Sequence, residues 1–181
     1  MTRITRTTLA ALLGSSMLAG AAFAQETHPE TGEPLAEDQT FTYRVLDELS
    51  SLDPQVVEDV IGSEFARDLF EGLNNQDEEG NLVPGMAESF DVSDDKLTYT
   101  FHLRDANWSN GEPVTAQDFV FAWRRAVDPA LASHYQWYME LMSIENAGAI
   151  IKGEMEPDQL GVEAVDDKTF KVTLSQPLPY F

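Results

Sequence analysis

The stretch KLTYTFHLRDANWSNGEPVTAQDFVFAW, Lys96 to Trp123, holds a strand, a turn and a helix in that order, and its reading decides the fold class. Leu97, Tyr99, Phe101 and Leu103 alternate with Thr98, Thr100, His102 and Arg104, the period of two that marks a strand with one buried face. Asn110-Gly111 suits a turn, because glycine accepts the positive φ that such turns demand. Thr115-Ala116-Gln117-Asp118 has the spacing of a capping box, in which two early backbone N–H groups find side-chain acceptors. Beyond it Phe119, Val120, Trp123, Ala126 and Val127 recur at helical spacing. Asp128-Pro129 ends that helix, since a residue before proline is pushed out of the α region. The loop reads as a strand–turn–helix junction, either scaffold or a reactive centre, in a chain that mixes strands and helices.

Working outward, the same two periods recur. Phe41, Tyr43 and Val45 alternate with Thr42 and Arg44, which predicts a short half-buried strand. Ser51-Leu52-Asp53-Pro54 is a turn. Phe65, Ala66, Leu69, Phe70 and Leu73 predict a helix over 63–73, with Ser63 as N-cap and Gly72 loosening its end. Asn74 to Gly80 reads as an acidic loop, Pro84-Gly85 as a turn, and Asp91 to Asp95 as a solvated charge run. A further helix is predicted over 144–152, ending at Gly153. Phe170, Val172 and Leu174 form a last alternating strand. Pro177 to Phe181 is apolar and exposed-looking, which predicts a sequence cut short, because natural ends are usually polar and frayed.

The first 24 residues carry the marks of a secretory leader. Arg3 and Arg6 are followed by an apolar run over 9–18 and by Ala22-Phe23-Ala24, with cleavage expected after Ala24. The run is too short to span a membrane. No cysteine follows it to take a lipid anchor, and export to a bacterial periplasm is the expectation. Gln25 to Gln39 is a polar lead-in.

Composition narrows the chemistry. The 181 residues are 43% hydrophobic and 24% charged, a globular balance, and none is cysteine. Thiol catalysis, thiolate metal sites and disulfides are excluded, so an exported chain is held by its core alone. The formal charge of −21, deeper still once the two leader arginines are lost, opposes nucleic-acid phosphates and anionic membranes. His28, His102 and His134 stand apart and fit no metalloprotease pattern. Asn75-x-Asp77-x-Glu79-Gly80 resembles the front of a calcium loop, but its twelfth position is Met86, where a carboxylate is needed. No catalytic residue, metal ligand or cofactor site is expected. Trp123 belongs to the helix stripe. Tyr135, Trp137 and Tyr138, in SHYQWYME, fit pocket lining and core packing equally.

SLDPQ, RDLFEGL, PGMAESF, YTFHLRDANWSNGEPVTAQDFVFAWRRAVDP, the AS-x-Y of Ala132 to Tyr135 and LGVEAVDDKTFKVTLSQPLPYF together resemble the periplasmic oligopeptide-binding proteins of bacterial ABC importers. The resemblance runs from about Thr40 to the last residue. It also takes in dipeptide, murein-peptide and nickel binders of the same broad family. It implies a two-lobed periplasmic-binding-protein fold (class II-like, cluster C), α/β, of which only the N-terminal part is present. Residues 1–24 would be the signal peptide, 25–70 the first segment of the large N-terminal lobe, and 71–181 most of a small inserted domain. It implies a monomer that binds extended oligopeptides and delivers them to an inner-membrane ABC permease, without enzymatic turnover. Backbone groups of Glu58 and Val60 would pair with the peptide, and Tyr135 would contact it from the inserted domain. The alternatives are another solute on the same fold, or a periplasmic hydrolase whose active site lies beyond Phe181.

Thr115→Ala is expected to cost about 1 kcal/mol, as lost N-caps do, and to leave ligand affinity nearly unchanged. Thermal unfolding beside a binding titration checks both halves.

Overall fold

The computed structural model describes Thr27, His28 and residues 31–181; the leader and its cleavage site lie outside the described residues. The chain divides into two compact units, Met1–Arg44 and Val45–Phe181. In the first, Gly32 at φ 69° turns the chain so that Thr27 and Pro34 form an isolated antiparallel bridge. The Phe41 and Tyr43 rings stack at 5.9 Å. The strand predicted over 41–45 does not form. Alternation becomes a strand only when a neighbouring strand takes its backbone groups, and among the described residues no strand or isolated bridge lies over 41–45.

The second unit runs α1 (Val60–Leu69), β1 (Asn74–Gln76), β2 (Leu82–Pro84), β3 (Ala87–Val92), β4 (Thr98–Leu103), α2 (Ala116–Val127), α3 (Gln136–Leu141), α4 (Ala147–Ile151), a 3₁₀ turn (Pro157–Gln159), β5 (Val162–Asp166) and β6 (Thr169–Thr173). A four-stranded antiparallel sheet in the order β3-β4-β6-β5 is its centre, and β1 with β2 makes a separate hairpin. As the alternation requires, Tyr99, Phe101 and Leu103 are buried while Thr98, Thr100 and His102 are not. On the opposite, polar face the cross-strand partners Lys171 and Glu163 pair, and His102 Nε2 meets Asp91 at 2.8 Å.

The apolar face is covered by α2, whose stripe includes the buried Val120 and Val127. Phe170 sits at the centre with no exposed surface. Its ring lies 6.2 Å from Phe101, 5.7 Å from Phe119, and 5.2 Å edge-on to Trp123, an arrangement aromatic quadrupoles favour. The cap of α2 is as expected in kind: Thr115 N–H donates to the Asp118 carboxylate at 2.8 Å. Gly111 turns at φ 88°, with its N–H on Trp108 O at 2.8 Å.

Four elements of the second unit differ from the sequence reading. α1 begins at Val60, capped by Asp59, whose Oδ1 accepts from Gly62 N–H at 2.6 Å; Ser63 lies inside the helix. A Cβ on Gly62 would run into the Val57 side chain and the Ser51 carbonyl, so this first turn closes only with glycine there. α4 starts three residues later than predicted. Ile144 pairs with Leu174 at the sheet margin, Asn146 turns at φ 67°, and only then can the helix begin. The acidic loop at 74–80 is a hairpin in which Asp77 accepts from Asn81 N–H at 2.7 Å and Glu79 N–H at 3.1 Å. The charge run at 91–95 is the end of β3 and the turn into β4, where Asp95 accepts from Ser93 Oγ and Leu97 N–H. Near the last residue, Leu178 is buried and Phe181 packs on Tyr99 at 4.5 Å, so these apolar residues are not simply exposed.

Phe170→Ala removes the ring around which three others pack. It should cost about 3–5 kcal/mol, the range for large-to-small core changes, read as a fall in the urea midpoint at unchanged slope.

Candidate functional site

The turn at Ser51-Leu52-Asp53-Pro54 forms because two side chains close it: Ser51 Oγ accepts from Asp53 N–H and Asp53 Oδ1 accepts from Gln55 N–H, each at 3.0 Å. Seventy-two residues on, Arg125 in the last turn of α2 presents its planar fork to the same carboxylate, with Nη1 on Oδ1 at 3.1 Å and Nη2 on Oδ2 at 2.6 Å. Two parallel N–H···O bonds fix orientation as well as distance. The Arg125 guanidinium holds the Asp53 carboxyl below its ordinary value, and Asp53 raises that of Arg125. Gln55 completes the join: its Oε1 accepts from Arg125 at 2.7 Å and its Nε2 donates to Ala122 O at 2.6 Å.

The loop after α2 grips the next residues. Ala132 turns at φ 52°, which sets Ser133 Oγ to donate to Gln55 O at 2.6 Å and the Tyr135 hydroxyl to donate to Val57 O at 2.5 Å. His134 Nδ1 lies 3.2 Å from Glu58 Oε1 on the exposed side. Asp59 follows, its carboxyl lowered to about 2 by the Ser50 hydroxyl first, then by the Gly62 and Ser50 N–H groups.

Of the three residues named from sequence, Glu58 and Tyr135 are thus brought together, and Val60 is the first residue of α1 rather than part of an extended run. Among the described residues no hydrogen bond engages the N–H or C=O of Glu58, or the N–H of Val60. Tyr135, Trp137, Tyr138 and Leu141 remain 40–58% exposed. SHYQWYME, ambiguous in sequence, is mostly the short helix α3, and its aromatics are not core. The long-range bonds by which Asp53, Gln55, Arg125 and Ser133 position the segment were not read from the sequence; their partners lie 67 to 78 residues away, and no local pattern marks such pairs.

A cleft of about 690 Å³ lies elsewhere, lined by Leu69, Phe70, Met86, Trp108, Val114 and Phe119 and including the Arg104–Glu71 ion pair. No group of three metal-binding side chains occurs, and no helix is long and apolar enough to cross a membrane, among the described residues.

Residues 81–181 match the family described as bacterial extracellular solute-binding proteins, family 5 Middle, and the chain belongs to that family. It is 47% identical over 184 residues to the periplasmic oligopeptide-binding protein OppA of Escherichia coli K12, covering 100% of this chain and 33% of that protein. The solved structure of the Escherichia coli murein tripeptide binding protein MppA is similar with a TM-score of 0.72 at 50% identity, over 75% of this chain and 27% of that one. Haemophilus influenzae OppA in complex with RPPGFSPFR is similar with a TM-score of 0.70 at 54% identity, over 72% and 26% respectively. The chain spans about a third of the length of the curated relatives it matches. The α/β fold expected from the resemblance is therefore found, as part of the periplasmic binding protein fold of this family.

Two outcomes follow from the join. Asp53→Ala leaves the half-buried Arg125 fork unpaired and should cost about 1–2 kcal/mol, between exposed and buried ion pairs, with faster amide exchange over residues 53–58. The Asp59 carboxyl is depressed in the folded chain, so its stabilisation is complete above the ordinary carboxylate value near 4 and is lost as pH falls from there through about 2. Melting temperatures over that window should fall less steeply in Asp59→Asn than in the unaltered protein.

Proposed function

We propose that this chain belongs to the periplasmic receptor of an ABC importer, which binds extended oligopeptides and hands them to an inner-membrane permease. The observation that carries the reading is the pinned segment at Glu58–Val60. Main-chain donors and acceptors without partners are held at a fixed place beside Tyr135, and main-chain pairing grips an extended peptide whatever its side chains. A relative more than half identical over the shared length holds the peptide RPPGFSPFR, which supports the same direction. Glu58 and Val60 then offer backbone groups and Tyr135 a ring. Residues 25–70 open the large lobe, and 71–181 supply most of the inserted domain.

The remaining parts of the reading follow from it. The protein is a monomer without turnover, exported to the periplasm with cleavage after Ala24. Its net acidity keeps it from nucleic acid. A murein-peptide ligand is the second reading, favoured by the likeness to the tripeptide binder.

Native mass spectrometry of the protein from its own periplasm, repeated after denaturation, tests the proposal. A spread of small surplus masses that vanish on denaturing is expected for a promiscuous peptide receptor. One sharp surplus mass marks a narrow ligand such as a murein peptide. A bare chain at every preparation would remove the transport reading.

A further inference from the structure

The loop between β4 and α2 carries a chemistry that neither the core nor the join uses. Asn110 is followed by Gly111, and of the six asparagines in the chain it is the one that precedes glycine. An asparagine side chain can be attacked by the backbone nitrogen of the next residue. That nitrogen bonds to Cγ, the Cγ–Nδ2 bond breaks, and ammonia leaves with the amide proton. Water then opens the five-membered imide at one of its two carbonyls, leaving aspartate or an isoaspartyl link. Glycine lets the ring close, because no Cβ stands in its way.

The turn is built so that both reacting groups are already engaged. The Gly111 N–H, whose nitrogen would attack, donates to Trp108 O at 2.8 Å. The Asn110 amide is held at both ends by Glu112: Oδ1 accepts from its backbone N–H and Nδ2 donates to its carboxylate Oε2, each at 3.0 Å. Turning the amide over would set its oxygen against the carboxylate, so one orientation alone satisfies both bonds. Trp108 N–H to Glu112 O at 2.8 Å and Val114 N–H to Ala106 O at 2.9 Å close the base of the turn. Every bond of this frame is made within residues 106–114, so no other part of the protein is needed to form it.

We infer that Asn110 is a site of spontaneous deamidation that the folded turn holds in check, with Glu112 as its clamp. For the ring to form, Gly111 must leave Trp108 and the Asn110 side chain must leave Glu112, so the reaction runs from locally opened chains. The product does not refit. An aspartate at this position sets a second carboxylate against that of Glu112 where a donor had been, and like charges so close repel. An isoaspartyl link also lengthens the main chain by a methylene group inside the turn. The change therefore accumulates in chains that have opened, whatever the protein binds.

In the test, full-length protein is incubated in warm, mildly alkaline buffer, folded and in urea, and peptide mapping follows the mass gained as water replaces ammonia. Asn110 is expected to deamidate in urea ahead of the other asparagines, and at least about tenfold more slowly when folded. Glu112→Ala removes one clamp bond and should speed the folded reaction about fivefold, the fold-change of one net hydrogen bond. Glu112→Gln, which keeps an acceptor, should stay close to the parent. Each folded rate is divided by the rate of the same variant in urea, which cancels the effect of the new side chain on the chemistry itself. Unchanged amide exchange in β4 and β6 shows that Glu112→Ala opens the turn and not the fold. The clamp is overturned if folded and urea rates agree, if the ratio does not rise in Glu112→Ala, or if exchange rises throughout both strands. No reaction at Asn110 in urea removes the site altogether.

Discussion

The fork between Arg125 and Asp53 is the constraint on which the site depends. It spans 72 residues of sequence and joins a surface turn to the last turn of a packed helix. A lysine could supply the charge but not two parallel donors in one plane. Because the geometry is bidentate, the turn cannot swivel, and Gln55 inherits a position from which its side chain bonds both Arg125 and the α2 backbone. Everything after it is dead reckoning from that point. Ser133 and Tyr135 take the next two alternate carbonyls, Asp59 caps α1, and Gly62 lets the first helical turn press against Val57.

Rigidity and openness are divided between two parts of the same unit. The sheet and α2 close on Phe170, and that centre has no surface to offer a ligand. The segment at 58–60 and the exposed aromatics of α3 lie outside it, beside the buried Val57 and held by a few strong hydrogen bonds. Such an arrangement keeps backbone donors and aromatic faces available while denying them freedom to wander. Local opening of the segment should therefore require less free energy than unfolding of the sheet, as expected where few apolar contacts are buried.

The acidic surplus has a local use besides solubility. Asp59, Asp77 and Asp95 each accept backbone N–H groups from the turn they belong to, and each carboxyl is held below its ordinary value, first by a side-chain donor (Ser50, Asn81 and Ser93 respectively) and then by those N–H groups. These carboxylates shape loops. The exposed ion pairs on the polar face of the sheet, such as Glu163 with Lys171, add little, since such pairs are screened by water and salt.

The sequence by itself determined the elements whose reason is local. The period of two in Thr98–Leu103 and in Phe170–Leu174 and the helical stripe from Phe119 to Val127 are patterns written locally, and the glycine turn at Gly111 and the box at Thr115–Asp118 rest on contacts within a few residues. Tertiary structure decided whatever needed a distant partner. Alternation at 41–45 found no paired strand, while the weakly patterned Ala87–Val92 and Val162–Asp166 became strands because β4 and β6 stood ready beside them. Asp59 caps α1 in place of the predicted Ser63, because Ser50 and the close approach of Val57 to Gly62 hold the chain there. For the site, Glu58, Val60 and Tyr135 were named through a family resemblance, whereas the fork and the two carbonyl grips that hold them were not legible. A hydrogen bond between residues 70 or more apart leaves no periodic trace in a sequence, because nothing about either neighbourhood changes until the chain has folded and brought them together.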